Sequence, residues 1–383
     1  MRVHRIQREK ENDILFELLD DNEEPIAAIS GFMRHLHARG CSPNTLAAYI
    51  YDLQYFVQFL KEQQLPYQQF TPAHSLAFLE YLSTLPSRKP SRRLGLVLST
   101  TTSEGDSTTR LSPTTINRIF AAVSSFYEYL ILSGQWTSYE NPIHKVDDPA
   151  LTRVSERHRP FMGRASHQRP IRRAVRVKTV QRLPRPMDDD QIDKLLTSLT
   201  CKRDKAMLLL MLHGGLRPGE VLSLHLEDLQ YGRRRVVIRY RTDHPKRART
   251  KSRTERVVDL LQPGTLQAIS DYVMHERPTD SESPYVFLVG GRRKRRCEPL
   301  GYYALVKLFA RHCERLGIRT PWVTPHALRH THATRMFEQG MRELTLQKRL
   351  GHASPESTRI YTQVSDPLVV EEYRRALGEE PLE

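Results

Sequence analysis

The sequence predicts a mainly α-helical protein with one small antiparallel β-sheet, arranged as a helical N-terminal domain followed by an α+β domain. Three observations carry this. Helical periodicities repeatedly follow a proline at the first helical position, where its missing N–H costs nothing and its fixed φ helps. Two short β-type runs, RRRVVIRY and RTERVVDLL, flank a basic stretch, TDHPKRARTKS, as in a hairpin or small meander. A long arginine- and proline-rich segment separates the two patterns, and 383 residues suffice for two domains, each with its own core.

Taken in order, residues 1–22 read as an N-terminal arm and 23–146 as the helical domain. Apolar residues recur at helical spacing in Ile26, Ile29, Met33 and Leu36, then from Leu46 through Ile50, Leu53 and Phe56 to Leu60, and again from Ile116 to Leu130. Ser42-Pro43, Thr71-Pro72 and Ser112-Pro113 supply hydroxyl N-caps ahead of N1 prolines. A hydroxyl-rich insertion, about 87–111, is unusually long for a connection within a compact domain. Residues 147–186 have many arginines and almost no acid, and read as a basic interdomain linker. Composition leaves two compatible readings: a solvated tether, or a strap that orders along a polyanion.

The second domain, 187–366, opens with MDDDQIDKLLTSL, whose acids sit at the positive end of a helix. The helix in CKRDKAMLLLMLHGG stops at Gly214-Gly215. The two β runs follow, then a further strand expected at Tyr285 to Val289, the basic run GGRRKRR, and helix from Leu300 onward. Residues 367–383 read as a C-terminal tail helix. No period of repeat-protein length is present.

The net charge of +15 favours a polyanionic partner, since lysines and arginines that neutralise phosphates release condensed counterions. Nucleic acid leads and an anionic membrane surface comes second. No apolar run approaches the ~20 residues that span a bilayer, and the first residues lack the apolar core of a signal peptide. Four scattered cysteines without C-x-x-C spacing suggest neither a disulfide framework nor a cysteine zinc site. The expectation is a soluble cytoplasmic protein.

Several residues could carry chemistry. Arg217 stands at a helix junction in GGLRPGEVL, with Glu220 three residues on; alone it could equally pair with a nearby acid. His326 and Arg329 occupy i and i+3 on one face of a helix that starts at Thr324-Pro325. Leu350-Gly351-His352 ends a short helix, and Tyr361 follows in ESTRIYTQV. His326, His330 and His332 raise a metal-binding reading, but no H-E-x-x-H glutamate or acidic cluster stands nearby. Packing or DNA contact is the better expectation for His330 and His332.

In combination, Arg217, the β runs, His326-x-x-Arg329, His352 and Tyr361 follow the order and local spacing of the tyrosine recombinase (phage integrase) family, which the chain resembles over nearly its whole length. The resemblance implies a core-binding helical domain and a catalytic domain. The family pattern of Arg, Lys, His-x-x-Arg, His or Trp, and Tyr matches Arg217, Lys251, His326, Arg329, His352 and Tyr361. Lys251 is preferred over Lys246 because it stands five residues before Arg256, although Thr250 and Ser252 replace the glycines usual beside that lysine. The implied reaction is DNA strand exchange through a 3′-phosphotyrosine, without ATP, metal or other cofactor. Arg217 and Arg329 would clamp the phosphate oxygens. Tyr361 would attack, His326 relay its proton, His352 hydrogen-bond the phosphate and Lys251 protonate the leaving oxygen. Glu220 is either an orienting partner of Arg217 or a helix-surface acid.

Within the family, integration, excision or transposition of a mobile element is favoured over resolution of chromosome or plasmid dimers. Outside it, a nicking and resealing topoisomerase would share the chemistry, and a DNA-binding regulator would use only the fold. The expected partners are double-stranded DNA and three further copies in a tetramer on DNA, from a free monomer, with accessory recombinases or directionality proteins as further candidates.

Overall fold

The computed structural model describes residues 1–7, 14–87, 110–136, 138, 140–147, 171–179, 185–246, 248, 250 and 254–352. The chain divides into two compact units, Met1–Gln181 and Arg182–Glu383.

The first unit is built on four helices: α1 (Ala27–Ala38), α2 (Pro43–Glu62), α3 (Pro72–Thr84) and α4 (Pro113–Leu132). The hydroxyl-proline starts do what their chemistry predicts. Ser42 Oγ accepts the Thr45 N–H and Ser112 Oγ the Thr115 N–H, both at 3.2 Å, while the Thr71 N–H donates to His74 Nδ1 at 3.0 Å. The apolar stripes meet in an aromatic-rich core, where Phe56 lies edge-on to Phe70, Phe78 and Tyr127. Each such ring contributes roughly 1.5–3 kcal/mol through burial. Asp52, fully buried on α2, is held by Arg118 of α4 through paired bonds of 2.9 Å. The arginine offsets the cost of burying that carboxylate.

The stretch expected as an N-terminal arm forms an antiparallel hairpin, β1 (Arg2–Gln7) with β2 (Ile14–Leu19). Alternation drives it: Phe16 and Leu18 turn into the helical core while their neighbours do not. The linker also holds more structure than its composition suggests. β3 (Lys145–Asp147) pairs with β4 (Ile171–Arg173), Val175 and Val177 pack on the core of this unit, and Asn117 exchanges two 2.9 Å hydrogen bonds with the Val177 backbone. Pro86 and Arg110, which flank most of the hydroxyl-rich insertion, pair in an antiparallel bridge; residues 88–109 between them lie outside the described residues.

In the second unit α5 (Asp189–Thr197) leads to α6 (Lys202–His213). From Ala206 to Leu212 every residue of α6 is buried, so this helix, apolar all round, is the central rod of the core. It packs against α8 (Pro263–His275) and α10 (Pro325–Glu338). The short α7 (Pro218–Leu222) follows α6 directly. The two β runs form β6 (Arg235–Ile238) and β7 (Arg256–Asp259), antiparallel with Val236 opposite Val258, and β5 (Leu229–Gln230) adds a third strand.

Helix α8 lies between the second β run and Tyr285, where the sequence expectations place no element. Its signal is Pro263 followed by Leu266, Ile269, Tyr272 and Val273. The strand expected at Tyr285 to Val289 is corrected. This segment makes only isolated bridges, His225 with Tyr285 and Leu288 with Pro299, because its β-type residues are buried as core rather than laddered. Helices α9 (Tyr302–Arg315), α10 and α11 (Glu343–Leu350) complete the described part. No helix among the described residues is long and apolar enough to cross a membrane.

Candidate active site

The site assembles where four chain segments meet around the carboxylate of Glu220. Arg217 is the N-cap of α7: its backbone N–H donates to Glu220 Oε2 at 2.8 Å and its Nη1 to Oε1 at 2.7 Å. Arg256, on β7, donates Nη1 to Oε1 at 3.0 Å and Nη2 to Oε2 at 2.8 Å. Arg329, on α10, brings its Nη1 to 3.8 Å from Oε2. Glu220 is 1% exposed, so it is no surface acid.

The same arginines cap the C-terminus of α11, where the last carbonyls of a helix lack partners and carry partial negative charge. Leu350 O accepts from Arg217 Nη1 at 3.3 Å and from Arg329 Nη2 at 2.7 Å. Gly351 O accepts from Arg217 Nη2 at 3.2 Å, and Arg349 O from Arg256 Nε at 2.9 Å. Arg329 Nη1 also donates to the carbonyl of Gly215. Arg217 and Arg329, far apart in sequence, thus share one acceptor.

Two glycines make the approach feasible. Gly351 ends α11 at φ +64°, and a Cβ there would lie 2.7 Å from Arg256 Nη1. Gly215 has φ +63°, and a Cβ would lie 2.5 Å from His332 Cδ2.

The electrostatics favour an anion. Burial pushes the Glu220 carboxyl up, but the Arg256 hydrogen bonds and the charges of Arg256, Arg329 and Arg217 outweigh it and hold the group at about 2. His352 Nε2 lies 2.9 Å from Arg329 Nη2; because a guanidinium only donates, Nε2 accepts and the imidazole is neutral. Burial, then the charges of Arg329, Arg217 and Arg256, bring its pKa down to about 3. Three arginines against one carboxylate and a neutral imidazole leave two positive charges, a match for a phosphodiester flanked by developing charge.

His326 is exposed in the first turn of α10, one turn ahead of Arg329. Arg217, Arg329 and His352 are therefore brought together, with His326 on the adjoining turn. Lys251 and Tyr361 lie outside the described residues, as does the tail at 367–383. Lys246, the other hairpin lysine, pairs with Glu298 at 2.8 Å.

His332 is a packing residue. Its Nδ1–H donates to Leu212 O at 2.9 Å, its Nε2 accepts from Arg349 Nε at 3.1 Å, and burial with the Arg349 charge lowers its pKa to about 3. Arg349 continues to His213 O and Asp259 O, tying α11 to α6 and β7. Among the described residues no three His, Cys, Asp or Glu side chains gather in a metal-binding group. In the sequence Arg256 serves only as a landmark for the lysine, and Arg349 carries no evident role. Their signal is an arginine next to each recognised motif.

A buried carboxylate ringed by guanidinium groups, on a helical α+β unit, defines an anion site of the kind that phosphoryl transfer requires. The phage integrase family model matches residues 185–367, and the model of the phage integrase N-terminal SAM-like domain matches residues 29–134. The chain is 28% identical over 386 residues to transposase A from transposon Tn554 of Staphylococcus aureus, covering 98% of each. It is 29% identical over 341 residues to the tyrosine recombinase XerC of Herpetosiphon aurantiacus, covering 87% of this chain and 88% of the relative. A solved structure of the Tn1549 transposon integrase in complex with a circular intermediate DNA has the same fold, with a TM-score of 0.58 at 15% identity, over 91% of this chain and 99% of that one. The chain belongs to the phage integrase family, the tyrosine recombinases, which are DNA strand-transferring enzymes.

Proposed function

We propose that this chain is a site-specific recombinase that integrates, excises or transposes a mobile DNA element, acting in the cytoplasm on double-stranded DNA as a tetramer. The observation that carries the reading is the convergence of Arg217 and Arg329 on Leu350 O beside His352, over the buried Glu220. Glu220 and the α11 carbonyls fix two guanidinium planes before substrate arrives, so no reorganisation is needed as charge develops on the phosphate. The mobile-element role draws support from the end-to-end similarity to the Tn554 transposase and from the fold shared with an integrase solved on circular intermediate DNA. Similarity to XerC keeps dimer resolution as the second reading; exchange between directly repeated copies of a host chromosomal site, but not between element ends, would favour it.

In the proposed reaction Tyr361 Oη forms a bond to phosphorus in line with the departing O5′. The phenol proton passes to His326, and Lys251 Nζ protonates O5′ as the P–O5′ bond breaks. The products are a 3′-phosphotyrosine and a free 5′-hydroxyl, and attack by a 5′-hydroxyl from another strand reverses the step. Assignment of the acid to Lys251 is supported by the engagement of Lys246 with Glu298.

The test uses a labelled, nicked duplex carrying the joined ends of the element that encodes the chain. Wild type should yield a protease-sensitive DNA adduct with EDTA present, and Tyr361→Phe none; an adduct in the mutant would mean that another nucleophile acts.

A further inference from the structure

We propose that His244 and Thr250 are positioning residues that set the hairpin turn for the leaving-group proton transfer, an inference that rests on the reading of Lys251 as the acid. His244 is 1% exposed, and its Nδ1 accepts two backbone N–H groups, Lys246 at 3.1 Å and Ala248 at 3.3 Å. Two donors converging on one ring nitrogen require a lone pair there, so the imidazole is neutral with its proton on Nε2. That Nε2 is buried with no hydrogen-bond partner among the described residues. The ring itself is clamped edge-on to Tyr285 at 4.8 Å, and Tyr285 in turn meets the His225 ring at 4.5 Å.

Thr250, the residue before Lys251, forms the second pin. Its Oγ1 accepts the Arg241 N–H at 3.2 Å and lies 3.4 Å from the Arg241 carbonyl, which it reaches as donor. Arg241 is in turn anchored by its guanidinium to Asp228 and Glu227. Lys246, Ala248 and Thr250 are therefore each tied to the unit by hydrogen bonds between side chain and backbone. The chain leaves Thr250 from a fixed point, which is what a proton donor with a short reach requires.

The test exploits leaving-group chemistry. A duplex with a 5′-bridging sulfur at the scissile position expels a thiolate, which needs no proton because thiols are far more acidic than alcohols. His244→Phe keeps a ring against Tyr285 and removes the acceptor; His244→Asn restores one; Thr250→Val keeps shape and removes the hydroxyl. On the oxygen-bridged duplex, His244→Phe and Thr250→Val should each cut about 100-fold more slowly than wild type, as misplacement of a reacting group does. Both should recover on the sulfur-bridged duplex, and His244→Asn should recover on both. Equal loss on the two duplexes, or no loss on either, would overturn the proposal. Lys251→Ala is run alongside: if sulfur does not rescue it, the assignment of the acid fails whatever His244 does. Thermal unfolding and DNA gel shift establish that each variant is folded, and Thr250→Val provides an independent test should His244→Phe unfold.

Discussion

Removing the charge of Glu220 leaves Arg217, Arg256 and Arg329 facing one another in a buried space without a counter-ion. Glu220→Gln should therefore lower stability by about 3–5 kcal/mol, read as a fall in Tm, because breaking a buried ion pair strands the remaining charges. Acid should act in the same direction. The Glu220 carboxyl titrates at about 2 when folded, below its ordinary value, so its contribution is present above pH ~4.5 and lost as pH falls toward 2. His332 is also depressed, to about 3, so the unfolded chain takes up that proton first as pH drops below ~6.5. Both terms make stability rise with pH: Tm should decline below pH ~6.5 and more steeply below ~4.5, and the steeper part should be smaller in Glu220→Gln. A glutamate three residues after an arginine is legible in sequence. Whether it is a surface acid or the hub of a cage is not, because the deciding fact is Arg256, brought in by a strand from another part of the chain.

Helix α11 places its carbonyl end in the site because Gly351 adopts a left-handed turn there. Gly351→Ala would strain the backbone by about 1–2 kcal/mol and push a methyl into Arg256. It should abolish the covalent adduct while DNA retention in a gel shift persists; unchanged cleavage would mean that the cap is dispensable. Elements that start with a hydroxyl-proline pair are readable in sequence with little ambiguity, since cap chemistry is local. So are β6 and β7, whose β-branched runs leave few options. The N-terminal hairpin and α8 carry weaker local signals, and Tyr285–Val289 reads as a strand that the fold does not make. In that segment an apolar run buried by tertiary packing carries no periodicity of its own.

For the molecule as a whole, a charge of +15 predicts strongly salt-dependent DNA binding. Arg292, Arg293 and Lys294 form an exposed basic run in the second unit. Replacing all three with alanine should flatten the slope of log K against log salt by about 1 for each phosphate that they would otherwise neutralise; an unchanged slope would place the phosphate-binding cations elsewhere. Deleting residues 367–383 should leave binding to a single site intact and weaken pairing of two sites, as expected if the tail closes a cyclic assembly on a neighbouring copy. Native gels resolving one-site from two-site complexes would decide this, and undiminished pairing would refute the exchange.

Composition and caps were enough to reach a mainly helical protein with a polyanionic partner, and the order of its motifs to show a resemblance to the tyrosine recombinases, because charge, helix starts and the types and order of reactive side chains are properties of the chain read locally. Tertiary structure decided the rest. It showed that Glu220 is buried, that Arg256 joins Arg217 and Arg329 around it, that Gly351 turns the α11 carbonyls toward all three, and that His352 is neutral and accepts a hydrogen bond at Nε2. The reason is that a pKa and a hydrogen-bond partner depend on which distant segments pack together, and no local pattern encodes that distance.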